Sequence, residues 1–196
     1  MKDPKLKMVM EEAKKAGATE LAVLAAESIV AEDDLARKCR EPRCENYGLS
    51  RSCPPHVAGP AAFRKLLEEY SHAVFFRIDV PSDVLYSSES REIFQLLYEV
   101  AAGIERSAVR MGFPAARAFA GGSCKKIFCR DQRECRALTG KGDCRNPAHA
   151  RPSMSGFGIN VAKLFQAAGW TMNIAARDSI SKTDHSASVC GLVLIS

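Results

Sequence analysis

The chain has 196 residues, 46% hydrophobic and 26% charged, proportions that build a real core and exclude a disordered tail or a fibre. No apolar run, residues 21–26 and 189–195 included, approaches the roughly 20 residues that cross a bilayer, so no membrane partner is expected. The start, Met1-Lys2-Asp3-Pro4-Lys5, leads into mixed charge rather than an apolar signal core, and the expected setting is the cytoplasm.

In chain order, Asp3-Pro4 is an N-cap and first-turn pair, and Leu6, Val9, Met10 and Ala13 mark one face of a short helix that Gly17 stops. Residues 20–26 read as a buried strand. After the acidic Glu32-Asp33-Asp34 comes a cysteine region at 39–56. From Pro60, the spacing of Phe63, Leu66, Leu67 and Tyr70 is helical, and residues 73–80 read as a strand that Pro81 ends. Ile93, Leu96, Leu97, Val100, Ile104, Ala108 and Met111 line the longest helix, closed by Gly112 before a short strand at 115–120. A second cysteine region occupies 124–151. Phe157, Val161, Leu164, Phe165 and Ala168 form a last helical stripe ended by Gly169, and residues 171–176 and 188–195 read as strands. This alternation predicts an α/β or α+β fold, helices packed on a mixed sheet with two long cysteine-bearing loops, as one domain over 1–196. Loops of that length need a staple or a function.

Eight cysteines, at 39, 44, 53, 124, 129, 135, 144 and 190, are the compositional anomaly. A reducing cytosol makes crowded thiols metal ligands or redox groups before it makes them disulfides. Basic charge follows them. The net charge is +5. Lys125, Lys126, Arg130, Arg133, Arg136, Lys141, Arg145 and Arg151 stand against Asp131, Glu134 and Asp143 in the second region. Arg37, Lys38, Arg40, Arg43 and Arg51 stand against Glu41 and Glu45 in the first. Such surroundings favour the thiolate state and offset the negative charge of a thiolate-bound metal. The competing account, a nucleic-acid patch, lacks interleaved aromatics and a groove-reading motif, and nucleic acid is not the expected partner.

The first group is Cys39-x4-Cys44-x8-Cys53-Pro54-Pro55-His56, three thiols and a nearby imidazole. The second is Cys124-x4-Cys129-x5-Cys135-x8-Cys144-Arg145-Asn146-Pro147, four thiols that complete a tetrahedral or cubane set. Structural zinc prefers two closely spaced pairs, and only one such pair occurs in the second group. Iron–sulfur clusters accept irregular gaps, and a proline soon after a ligand cysteine is an ending seen in bacterial ferredoxins. The reading therefore favours one or two 4Fe-4S clusters over zinc. The first group lacks a fourth cysteine: His56 or Cys190 is a candidate extra ligand, or one iron stays open. Cys190 lies in an apolar strand and reads first as a plain core thiol; His56 reads equally as a surface or supporting histidine. Arg151, with Arg145 and Ser153, precedes the last helix and is a candidate anion-binding set, against the plainer reading of a serine helix cap.

The runs Cys44-Glu45-Asn46-Tyr47-Gly48 and Ser52-Cys53-Pro54-Pro55-His56 carry a resemblance. So do Gly121-Gly122-Ser123-Cys124, the run Cys144-Arg145-Asn146-Pro147-Ala148-His149-Ala150-Arg151-Pro152-Ser153-Met154, and Gly158-Ile159-Asn160-Val161. Together, over about residues 20–175, the chain resembles the predicted metal-binding protein family, a domain of unknown function met mostly in anaerobic microbes. The resemblance implies two cysteine-ligated centres of iron–sulfur type and no settled reaction. Three functions follow as expectations. The first is an iron–sulfur protein in electron transfer, serving a redox or enzyme partner protein. The second is an enzyme using an open-iron three-cysteine cluster on an anionic substrate held by Arg151. The third is a zinc-stapled adaptor.

Overall fold

The computed structural model describes residues 3–172 and 186–196. Helix α1 (Pro4–Lys15) begins where the sequence places it: the Asp3 side chain accepts from the Lys5 amide, and Leu6, Val9 and Ala13 are buried. Strand β1 (Glu20–Ala25) follows, then two short helices' worth of chain separated by the first cysteine region, α2 (Asp33–Arg37) and α3 (Gly59–Leu67). Strand β2 (His72–Pro81) leads to the long α4 (Ser90–Arg110), strand β3 (Arg117–Ala120) and a one-turn α5 (Cys124–Phe128). After the second cysteine region come α6 (Val161–Ala167), capped by the Asn160 side chain on the Lys163 amide, and β4 (Ser186–Ile195). The strand expected at 171–176 runs into residues outside the described set.

The strands form one sheet in the order β1-β2-β4-β3. All three pairings are antiparallel, where a mixed sheet was expected; the one parallel contact is an isolated bridge between Ala120 and Ser153. Alternating helices and strands do not by themselves demand parallel neighbours. Here β2 and β4, far apart in sequence, run antiparallel over ten paired residues from His72↔Ile195 to Pro81↔Ser186. Alternation along β2 divides the core. Val74, Phe76, Ile78 and Val80 face α1 and α4; Ala73 and Phe75 face the side covered by α3 and α6. With both faces covered, the inner strands read as continuous apolar runs. Strand β1 is a correction. It was expected buried, but it is the sheet edge, and only Leu24 in it is fully buried.

On the α3 and α6 side, the rings of Phe63, Phe119 and Phe157 meet with centroids 5.2–5.6 Å apart. Beside them, Glu32 and Gly158 are joined by a backbone bond, the Glu32 amide donating to the Gly158 carbonyl at 2.8 Å. Gly158 has φ +65°, and a Cβ there would run into the Glu32 carbonyl. This crossing clips the start of the first cysteine region to the approach of α6. Replacing Gly158 by Ala should cost about 1–3 kcal/mol from backbone conformation alone, with the clash added. Thermal unfolding checks it: the variant melts several degrees lower, and an unchanged Tm contradicts the close approach.

Candidate metal centre

The second cysteine group is assembled by the end of β3. Cys124 opens α5, Cys129 is its C-cap, and Cys135 and Cys144 follow on the loop. Lys125 holds that loop in place, its Nζ donating to the carbonyls of Cys129 at 2.7 Å and Gln132 at 2.5 Å. All four thiols line one narrow cavity of about 20 Å³ together with Ser50, Arg145 and Asn146. Cys124, Cys135 and Cys144 also line an adjoining cavity of about 520 Å³. Two N–H groups of one residue point at sulfur: the Asn146 amide donates to Cys144 Sγ and its Nδ2 to Cys129 Sγ, each at 3.4 Å. Ser50 Oγ, almost fully buried on the same cavity, stands within reach of the Cys124 thiol. Tyr98 Oη, buried on α4, faces the backbone at Cys124. An all-thiol donor set, directed N–H donors and serine hydroxyls beside Cys124 fit a thiolate-bound group. Among the described residues, no three Cys, His, Asp or Glu side chains close around a single ion.

Electrostatics tie these groups together. Burial pushes the Cys124 thiol up to about 11; the Ser52 and Ser50 hydroxyls pull the other way, and the Cys53 and Cys144 thiols add to the rise. Burial holds the Tyr98 phenol well above its ordinary value, with Cys124 and Cys53 contributing.

The first group stands on a series of tight turns: the Cys44 amide donates to the Cys39 carbonyl at 3.0 Å and the Cys53 amide to Ser50 at 3.2 Å. Cys39, Cys44 and Cys53 share a separate, larger cleft. Burial raises the Cys39 thiol, and the neighbouring Cys44 and Cys53 thiols raise it further. The two groups meet at a reciprocal contact. Cys53 Sγ donates to Ser123 Oγ at 3.3 Å, while Ser52 acts on Cys124. Each Ser-Cys dipeptide thus sends its serine to the other group's cysteine.

Several expected roles change. His56, a candidate extra ligand or a surface histidine, is exposed on the 520 Å³ cavity beside Cys124, Cys135 and Cys144 and does not line the cleft of the first group. Cys190 sits opposite Arg77 in the β2/β4 ladder and packs against the α3 and α6 side of the core; burial pushes its thiol up to about 12, and it lines neither group's cavity. Arg151 is not available to an anion. Its Nε and NH2 bind the Glu105 carboxylate at 3.0 and 2.9 Å, and its NH1 donates to the carbonyls of Ala150 and Pro147. Arg145 donates to the Glu134 carbonyl at 3.2 Å. Ser153 is buried and serves as a seam rather than a cap: its amide donates to Ser52 at 2.9 Å, and it bridges Ala120. The helix cap falls to Asn160. Sequence reasoning did not single out Ser50, Ser52, Tyr98, Ser123 or Asn146; the repeated Ser-Cys dipeptide and the residue two after Cys144 were the available signals.

A family model described as Predicted metal-binding protein (DUF2284) matches residues 22–195. No curated protein and no solved structure matches the chain.

Two measurements check this geometry. Asn146→Ala, which removes the side-chain donor to Cys129, should lower metal retention against a chelator by about 10- to 100-fold with an unaltered circular dichroism spectrum. In metal-stripped native protein near pH 8, iodoacetamide should modify the exposed Cys44 well before Cys190, whose thiol stays protonated there; peptide mass spectrometry reads the order, and equal rates contradict the burial of Cys190.

Proposed function

We propose that this chain, which belongs to the family of predicted metal-binding proteins (DUF2284), is an iron–sulfur protein that carries two clusters and passes electrons to a partner protein. The observation that carries the reading is the ring of Cys124, Cys129, Cys135 and Cys144 around one cavity, with Asn146 donating to two of the sulfurs. Three of the four thiols also line the adjoining cavity of about 520 Å³, room for an object wider than one ion, and a 4Fe-4S cluster takes four such ligands. Zinc, which draws four ligands to about 2.3 Å of one point, suits the arrangement less well.

A bound cluster supplies one-electron reduction and oxidation at a potential that its surroundings set. This chain's residues do the setting. The N–H groups of Asn146 offset negative charge on Cys129 and Cys144. The Ser50 and Ser52 hydroxyls do the same for Cys124. Lys125, spent on two carbonyls, holds the α5 end of the loop and brings positive charge beside the thiols. Cys39, Cys44 and Cys53 are the ligands of the second cluster, and the Cys53–Ser123 and Ser52–Cys124 contacts keep the two centres adjacent enough to exchange electrons. Eight free thiols and a basic rim suit a reducing compartment such as the cytoplasm and an acidic docking face on the partner.

Metal and acid-labile sulfide analysis of protein purified without oxygen tests this. About eight iron and eight sulfide per chain are expected, falling to about four of each in Cys129→Ser or Cys135→Ser. Zinc without sulfide overturns the reading and makes the metal a structural staple.

A further inference from the structure

The cleft that holds the first cysteine group is far larger than three thiols require. Its volume is about 1090 Å³, at the upper end for small-molecule sites. Its lining includes apolar groups from both sides of the core, Leu85 and Phe94 from the α4 side and Val161 from the α6 side, with Leu35, and Leu49 stands 46% exposed on it. The charged part is lopsided: Lys38, Arg91, Lys125, Lys126 and Arg130 face a single carboxylate, Glu45. Lys126 spends its charge on Glu45 at 2.7 Å, and Lys125 is committed to loop carbonyls. Arg91 uses only Nε, on the Ile127 carbonyl at 3.0 Å. Among the described residues, Lys38, Arg91 and Arg130 have no carboxylate within ion-pair distance. Three cations outside ion-pair distance of a carboxylate, of which Lys38 still feels Glu32, stand beside apolar surface and ask for a ligand with both characters. An inorganic anion leaves the apolar wall unused, and a neutral hydrocarbon leaves the cations unmatched.

We infer that this cleft binds a small organic anion, a carboxylate or phosphate ester on an apolar body, with its acidic group on Lys38, Arg91 and Arg130 beside Cys39, Cys44 and Cys53. This cleft, and not the candidate anion set around Arg151, is the site: Arg151 is closed off by Glu105, and Lys38, Arg91 and Arg130 stand on the other cleft. Only the placement of the acid beside a metal centre rests on the proposed function. The first group lines the cleft with three cysteines, and neither His56 nor Cys190 joins them there, so a centre on those three thiols keeps one position facing the ligand.

The test uses anilinonaphthalene sulfonate, a fluorescent apolar anion, titrated into anaerobically purified protein and displaced by decanoate, decyl phosphate or decanol. Both acids should displace it at least about tenfold better than decanol, and the tighter of the two identifies the head group. Arg130→Gln combined with Lys38→Gln should weaken acid binding by about tenfold or more with an unaltered circular dichroism spectrum. Displacement by decanol as effective as by the acids, or indifference to loss of the two cations, overturns the site. Placement is read in Cys129→Ser protein, where the remaining paramagnetic signal belongs to the first centre: decanoate should change that spectrum. Iron-bearing protein that binds decanoate with an unchanged spectrum overturns the placement. Protein that binds decanoate but holds no iron overturns the proposed function and leaves the cleft standing.

Discussion

The arrangement depends on one ion pair. Arg151 ends the second cysteine region, and its guanidinium, 10% exposed, lies against the Glu105 carboxylate on α4. A charge pair with so little water needs its donors used, and Arg151 places four of its five N–H groups on Glu105, Ala150 and Pro147. From that anchor the chain runs straight into the seam of residues 152–154. The Ala120 amide donates to Pro152 and the Met154 amide to Ala120, each at about 3 Å, while the Ser153 amide reaches Ser52. The pair thus fixes three things at once: the end of β3 from which α5 and Cys124 start, the return of the loop bearing Cys144, and the height of Ser52-Cys53. Neither cysteine loop has an apolar core of its own to replace it.

The two cysteine groups are distinct in space but not independent. Ser123 belongs to one loop and meets Cys53 of the other; Ser52 and Ser50 belong to the first and act on Cys124 of the second. Filling either group with a charged centre changes the field at the other through contacts of one side chain's length, in a setting buried enough for little screening. Thiols that burial and mutual proximity keep protonated must release protons to bind metal, so loading and local order rise together.

Much of the scaffold was legible because it follows strong periodicity. The α1 face with its Asp3-Pro4 start and the long α4 stripe are where the spacing puts them. The five-residue α2 and α5 were not, since one turn has no period to detect. Nor does strand composition tell an edge from a centre, which is why β1 read as buried. The grouping of the cysteines was legible from spacing, and each group indeed lines its own cavity. What escaped were partners distant in sequence: Glu105 for Arg151, 46 residues away, and Ser123 for Cys53, 70 residues away. Long-range pairing of a polar side chain leaves no local pattern. Arg151 therefore was a candidate anion site beside the plainer helix cap, and Lys38, Arg91 and Arg130, scattered along the chain, did not read as neighbours of one cleft.

The sheet order carries a consequence for how the protein is made. β4 lies between β2 and β3, yet it follows both cysteine regions in the chain. Until it leaves the ribosome, β2 has no inner neighbour and the end of β3 that launches α5 hangs unsupported. Both cysteine loops therefore emerge onto an unfinished platform, and the four-thiol cavity takes shape only when the last strand slots into the middle of the sheet. Metal loading is in this way timed by the arrival of β4: the thiols of both groups are made before the strand that sets their platform, and stand exposed until it joins the sheet.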